Sequence, residues 1–223
     1  MSEFETVELT TGPKPTAALV WLHGLGADGN DFAPIVPQLA LPSGPDLRFV
    51  FPHAPVRPVT INGGMPMRAW YDIVSIDGQP PSDQAGIAAS AELACRLIER
   101  EAERGIPPER VVLAGFSQGG AIALHAGLRY PQTLAGIMGL STYLLMSGQL
   151  AQERSAANQA TPVFLAHGSF DPVVPIAAGE RSRDVLAELG YRIQWHSYPM
   201  PHAVSPQEIE DIRHWIGERL TPV

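Results

Sequence analysis

Seven short strand-like runs punctuate the chain: Thr6–Leu9, Ala18–Leu22, Arg48–Phe51, Val111–Phe116, Ala135–Leu140, Val163–Ala166 and Arg192–Tyr198. Several are too continuously apolar to leave one face wet, which is the pattern of strands in a parallel sheet covered on both sides. The segments between them carry helical spacing. In Gln84–Glu103, Ile87, Ala91, Ala94 and Ile98 fall on one stripe, and Gly105-Ile106-Pro107-Pro108 stops the helix. Further helices are predicted over Gln118–Arg129, Ile176–Leu189 and Pro206–Leu220. The last has a complete start signal: Ser205 can cap, Pro206 suits the first helical position and Glu208 can close a capping box. This alternation, without repeats or low-complexity tracts, predicts an α/β fold with a mostly parallel, doubly wound sheet and helices on both faces. Ligands of such sheets bind beyond the carboxyl ends of the strands.

One stretch breaks the rhythm. Pro52–Pro81 is interrupted by Pro55, Pro58, Pro66, Pro80, Pro81 and Gly63-Gly64, yet keeps Met65, Met67, Trp70 and Tyr71. It reads as a long loop with apolar side chains, either a wall or lid of a binding site or an irregular packed connection.

Composition narrows the function classes. With 223 residues, 45% of them hydrophobic and 17% charged, residues 1–223 suit a single domain with one well-buried core. A net charge of −8 disfavours a nucleic-acid or anionic-membrane surface. No apolar stretch reaches membrane-spanning length, and the acidic start, Met1-Ser2-Glu3-Phe4-Glu5, lacks the basic residues of a secretion signal, so a soluble cytoplasmic protein is expected. The single cysteine, Cys95, excludes an intramolecular disulfide and a thiolate metal cluster, and its helical position suits a buried small hydrophobe.

Chemistry enters at Gly115-Phe116-Ser117-Gln118-Gly119, between an apolar strand and a small-residue helix. A G-x-S-x-G at such a turn lifts the serine hydroxyl above the sheet edge under backbone strain, making Ser117 a candidate nucleophile. The pentapeptide alone arises by chance in roughly one chain in ten of this length; its setting and its partners add the weight. A serine hydroxyl needs a base and a carboxylate to orient that base, in the chain order Ser, acid, His. Of the later aspartates, Asp184 and Asp211 fall in helical patterns, whereas Asp171 follows the strand ending Ala166-His167-Gly168 and precedes Pro172. Of the later histidines, His196 lies in a strand and His214 in the last helix, whereas His202 sits in the loop before the Ser205 cap. Ser117, Asp171 and His202 are therefore the candidate triad. An oxyanion hole needs two backbone N–H groups, which the residue after the nucleophile, Gln118, and the turn His23-Gly24-Leu25-Gly26 can supply, with Leu25 the best candidate there. His23 precedes the nucleophile and reads as a brace of its loop, as does His167. Trp70, Leu144, Val174 and Met65 are the candidate apolar walls for substrate.

Leu22-His23-Gly24-Leu25-Gly26-Ala27-Asp28-Gly29-Asn30-Asp31-Phe32, together with Gly115–Gly119, His167-Gly168-Ser169-Phe170-Asp171 and the His202 loop, resembles the phospholipase/carboxylesterase family, which includes bacterial carboxylesterases and acyl-protein thioesterases. Arg68-Ala69-Trp70-Tyr71-Asp72 also resembles that family's loop over the acyl site. The resemblance spans nearly the whole chain. It implies an α/β-hydrolase fold without a large cap domain and cleavage of ester or thioester bonds without metal or other cofactor. It assigns the same roles to Ser117, His202, Asp171, Leu25 and Gln118. Two departures stand out: Leu145 where the family often has proline, and Ala203 where it often has serine after the histidine. The expected substrate is a small acyl ester, a lysophospholipid or an acylated protein, and exposed apolar residues around the 52–81 loop would fit a homodimer. The rival reading from another class is a catalytically silent α/β-hydrolase-fold protein that binds a ligand or partner.

Overall fold

The computed structural model describes residues 5–41, 43–74 and 83–221. In chain order the strands are β1 (Thr6–Thr10), β2 (Ala17–Leu22), β3 (Leu47–Pro52), β4 (Val56–Val59), β5 (Met65–Arg68), β6 (Val111–Phe116), β7 (Gly136–Leu140), β8 (Val163–Gly168) and β9 (Ile193–Tyr198). The helices are α1 (Gln84–Glu103), α2 (Gln118–Gly127), α3 (Ser147–Glu153), α4 (Ile176–Glu188) and α5 (Pro206–Leu220).

The main sheet runs in the order β1-β3-β2-β6-β7-β8-β9. Its strands are parallel except β1, which pairs antiparallel with β3. Side chains alternate across the sheet as strand geometry demands. Val20, Leu22, Val50, Val111, Leu113, Ile137 and Leu165 point to one face, where α1, α2 and α4 cover them with Ile87, Leu97, Ile122, Leu124 and Leu186. Leu19, Trp21, Phe49, Phe51, Ala114, Met138 and Phe164 point to the other, covered by Ile212, Trp215, Ile216 and Leu220 of α5 and by the 3₁₀ segment Ala33–Leu39. The sheet is thus wrapped on both faces, as the unbroken apolar runs require.

The expected strands and four expected helices form within a residue or two of their predicted limits. The Pro52–Pro81 segment differs: its described part is not one irregular loop but contains a hairpin, β4 paired antiparallel with β5, in which Pro58 faces Pro66. The turn is made by Gly63 and Gly64, both at positive φ. Proline tolerates this place because a two-stranded edge leaves N–H positions that need no partner. The remainder of the segment, 75–82, lies outside the described residues.

Chain order reverses between β2 and β6: from β2 the chain passes to β3 on one side, and β6 then returns to the other side of β2. In open sheets such a switch point, at the carboxyl ends of the strands, is where ligands bind. His23-Gly24-Leu25-Gly26 follows the carboxyl end of β2, and Ser117 follows that of β6.

Candidate active site

Ser117 stands alone between the last residue of β6 and the first of α2, at φ 53° and ψ −122°. For a residue with a Cβ this backbone costs on the order of 1–3 kcal/mol and persists only where its surroundings over-determine it. Here its N–H donates to the Leu140 carbonyl at 2.8 Å, and its carbonyl accepts from Thr142 Oγ1 at 2.6 Å and from the Ala121 N–H at 3.1 Å. The turn also needs room. A Cβ on Gly119 would lie 2.4 Å from both the Leu22 and His23 carbonyl oxygens, so only glycine lets the turn seat on the end of β2.

Asp171 and His202 meet. His202 Nδ1 is 2.6 Å from Asp171 Oδ2, and the carboxylate is wholly buried. Its other oxygen, Oδ1, accepts from the Val173 and Val174 N–H groups at 2.8 Å each. With Oδ1 saturated by donors, Oδ2 is left to hold the Nδ1–H of the ring, directing the lone pair of Nε2 outward. The two loops sit on one another: Ser169 N–H donates to Tyr198 O at 2.8 Å and Phe170 N–H to Met200 O at 3.1 Å. The His202 ring packs on Phe116, the neighbour of Ser117, at 4.7 Å between centroids. Ser117 Oγ makes no hydrogen bond among the described residues; in unliganded serine hydrolases that bond is commonly long and tightens with substrate.

The two candidate oxyanion amides are available. Among the described residues neither the Leu25 nor the Gln118 N–H donates to a protein acceptor. A Cβ on Gly24 would lie 3.5 Å from Ser117 Cβ, which places the Leu25 turn beside the serine.

The four candidate wall residues do not share one role. Met65 is 61% exposed on the hairpin, and Leu144 is half-buried with its N–H donated to Ser182 Oγ at 2.8 Å. Val174 is buried, and its backbone works for Asp171: its N–H holds the carboxylate and its carbonyl accepts from His167 Nε2 at 2.8 Å. Trp70 has no exposed surface and offers none to a ligand in this structure. It is a brace. Its indole N–H donates to the His23 carbonyl at 2.8 Å, its backbone N–H to Gln118 Oε1 at 2.9 Å, and Gln118 Nε2 donates to the Tyr71 carbonyl at 2.7 Å. The amide side chain of Gln118 thus ties segment 70–71 to the serine turn, a role that no local sequence signal marked. The pair Tyr71 Oη and Tyr143 Oη, 2.6 Å apart, ties the same segment to the loop after β7, and desolvation raises both hydroxyl pKa values.

Of the histidines outside the candidate triad, His23 and His167 are buried, whereas His196 and His214 are not. Burial lowers the pKa of His167, and His23 is pushed down to about 4, chiefly by burial. His196 stacks between Phe164 and Tyr198, and His214 is exposed on α5. Burial pushes the Cys95 thiol up to about 11, the opposite of a reactive thiolate. The predicted capping box is formed by Ser205 and Glu208, and Glu208 is buried with its carboxyl pushed up to about 8 by desolvation. No group of three or more potential metal-ligating side chains occurs among the described residues.

The chain is similar to known proteins along most of its length. An acyl-protein thioesterase 1 of Neurospora crassa is 42% identical over 217 residues, 93% of this chain and 89% of that protein. The crystal structure of Zea mays acyl-protein thioesterase 2 superposes with a TM-score of 0.85 at 29% identity, covering 97% of this chain and 99% of that one. That of Arabidopsis thaliana SOBER1 does so with a TM-score of 0.85 at 32% identity, covering 91% and 98%. The family model described as phospholipase/carboxylesterase matches residues 5–219, so the chain belongs to the phospholipase/carboxylesterase family of α/β-hydrolase enzymes.

Proposed function

We propose that Ser117, His202 and Asp171 carry the acyl-transfer chemistry of this serine hydrolase of ester and thioester bonds, with the Leu25 and Gln118 amides as its oxyanion hole. The observation that carries the reading is the 2.6 Å bond from His202 Nδ1 to a buried carboxylate, set beside a strained serine at a strand-to-helix turn. His202 Nε2 takes the Ser117 proton as Oγ attacks the acyl carbon, and the two amides receive the negative charge that develops on the carbonyl oxygen. As the tetrahedral intermediate collapses, His202 returns the proton to the leaving alcohol or thiol. Water, deprotonated by the same nitrogen, then attacks the acyl-enzyme and releases the acid and free Ser117.

The acyl-protein thioesterases among its relatives support an acylated protein as substrate. Apolar surface beside the site suits such a group: Phe170 and Val173, 70% and 51% exposed, flank Asp171, and Met65 extends from the hairpin. That hairpin is tied to the oxyanion turn by the bond from Gly26 N–H to Arg68 O at 2.8 Å. No described helix is long and apolar enough to cross a membrane.

The test is kcat/KM for matched oxygen esters and thioesters of rising acyl length, with Ser117→Ala as control. The variant should lose about 10⁴-fold or more in turnover and all labelling by a fluorophosphonate. Near-wild-type hydrolysis by that variant refutes the assignment, and a thioester rate that does not exceed the oxygen-ester rate at any length refutes the acylated-protein substrate.

A further inference from the structure

His23 is the residue after β2, 2% exposed, with both ring nitrogens engaged. The Ala54 backbone N–H lies 3.0 Å from Nε2. A backbone N–H can only donate, so Nε2 carries the lone pair and the ring proton is on Nδ1. Nδ1–H is then the donor to the Gly24 carbonyl, 2.7 Å away. With its only lone pair occupied, this histidine has no capacity left to act as a base.

The acceptor gives the contact its meaning. The Gly24 carbonyl and the Leu25 N–H are the two ends of one peptide unit, which is planar and trans, so they point in opposite directions. Pinning the oxygen on one side aims the N–H to the other. The preceding peptide is held as well, because the His23 carbonyl accepts from the Trp70 indole N–H at 2.8 Å. Gly24 has no side chain to hold its backbone and sits between two peptides fixed from outside, 3.5 Å from Ser117 Cβ by the position of its missing methyl.

The geometry points to His23 as a positioning residue of the oxyanion hole: its neutral Nδ1–H form, imposed by the Ala54 N–H, locks the Gly24–Leu25 peptide so that the Leu25 amide faces the reacting carbonyl oxygen. This rests on the proposed roles of Ser117 and Leu25. Burial, which pushes the His23 pKa down to about 4, keeps the ring neutral across the working range.

Two near-isosteric variants separate this role from simple packing. Asparagine keeps a donor near the position of Nδ1 and loses the acceptor for Ala54, whereas glutamine can place an acceptor near Nε2 and loses the donor for Gly24. Each gives up one buried bond, so both should unfold at similarly lowered temperature. For hydrolysis of p-nitrophenyl butyrate, His23→Gln should lower kcat about 10²-fold with KM little changed, the mark of a group acting only in the transition state. His23→Asn should stay within about tenfold of wild type. Equal kcat losses in the two variants, or a loss confined to KM, overturn the proposal while leaving the triad standing. Retained turnover in Ser117→Ala, measured in parallel, overturns the functional reading beneath it. Should neither His23 variant fold, the two-bond ¹⁵N–¹H couplings of the His23 ring in labelled wild-type protein decide: an Nδ1–H tautomer at neutral pH supports the lock and an Nε2–H tautomer overturns it.

Discussion

Replacing Asp171 with asparagine should stop turnover while leaving the fold intact, and the hydrogen bonds around the carboxylate say why. Oδ1 faces two donors, the N–H groups of Val173 and Val174, each at 2.8 Å. An amide NH₂ cannot face them, so the asparagine oxygen must take that side. Its nitrogen then faces His202 Nδ1 across a gap that is 2.6 Å in the native pair. That nitrogen can only donate, so Nδ1 must present its lone pair and the ring proton moves to Nε2. A ring protonated on Nε2 cannot accept the Ser117 proton. In serine triads a wrong-tautomer substitution of this kind costs about 10⁴ in kcat, or between about 5 and 6 kcal/mol of activation free energy. The cost to stability is smaller, about 1.5–3 kcal/mol for one hydrogen bond to a charged group, because the two backbone donors keep their acceptor. Steady-state ester hydrolysis and thermal unfolding of the same preparation test both halves. A variant that unfolds near the wild-type temperature and turns over within tenfold of wild type would refute the tautomer argument.

Gly119→Ala should lower both stability and kcat, since its Cβ would sit 2.4 Å from two backbone oxygens that cannot swing away; overpacking of this kind costs about 1–3 kcal/mol, read from the urea midpoint. Glu208 gives a pH signature. Its carboxyl holds a proton in the folded protein up to about pH 8 and, with an ordinary value of 4.5, loses it earlier when unfolded. Stability from this group is therefore present below pH 4.5 and falls as pH rises towards 8. Glu208→Gln should flatten that slope in unfolding temperature, matching wild type near pH 5 and exceeding it near pH 8; parallel profiles would contradict the assignment. Glu101, with no side-chain exposure, is bound by Arg48 at 2.6 Å and Arg104 at 2.9 Å. Glu101→Ala should cost about 2–3 kcal/mol in denaturant unfolding, below the range for a fully buried pair because the arginines are partly solvated, and leave kcat unchanged.

The strands were legible because a sheet covered on both faces imposes an unbroken apolar run, and α5 because Ser205, Pro206 and Glu208 each satisfy a helix-start donor or restraint. The β4–β5 hairpin was not, because Pro58 opposite Pro66 removes the strand signature that periodicity looks for. The 3₁₀ segment Ala33–Leu39 was hidden in the same way by Pro34 and Pro37. At the site, chain order and the ends of strands singled out the residues that now face one another, Asp171 and His202. Trp70 is buried where the sequence suggests a wall facing substrate, for a physical reason. An aromatic residue in a proline-rich loop reads as surface facing a ligand, and only the docking of that loop on Gln118 and His23 buries it. Which backbone group a buried indole or amide will satisfy is a matter of tertiary distance, to which local pattern is blind.

The proposed catalytic residues are assembled in two pairs of loops, each pair seated backbone on backbone. The serine turn rests on the end of β2 through Gly119, which fixes Ser117 against the oxyanion turn. The acid loop rests on the base loop through Gly168, where a Cβ would meet the Met200 and Pro201 carbonyl oxygens at 2.4 Å, which fixes Asp171 against His202. Between the pairs the contact is of another kind: the His202 ring lies on the Phe116 ring, 4.7 Å between centroids, with no hydrogen bond from Ser117 Oγ among the described residues. Aromatic contact is tolerant of small sliding, whereas carbonyl contact and charge-assisted bonds are not. The distance from serine to histidine is thus held by ring contact rather than by a hydrogen bond. Within the second pair the Asp171–His202 hydrogen bond is already formed without substrate. Under the proposed roles, an acyl carbon bound between the pairs leaves that one distance to close, the one along which the proton moves.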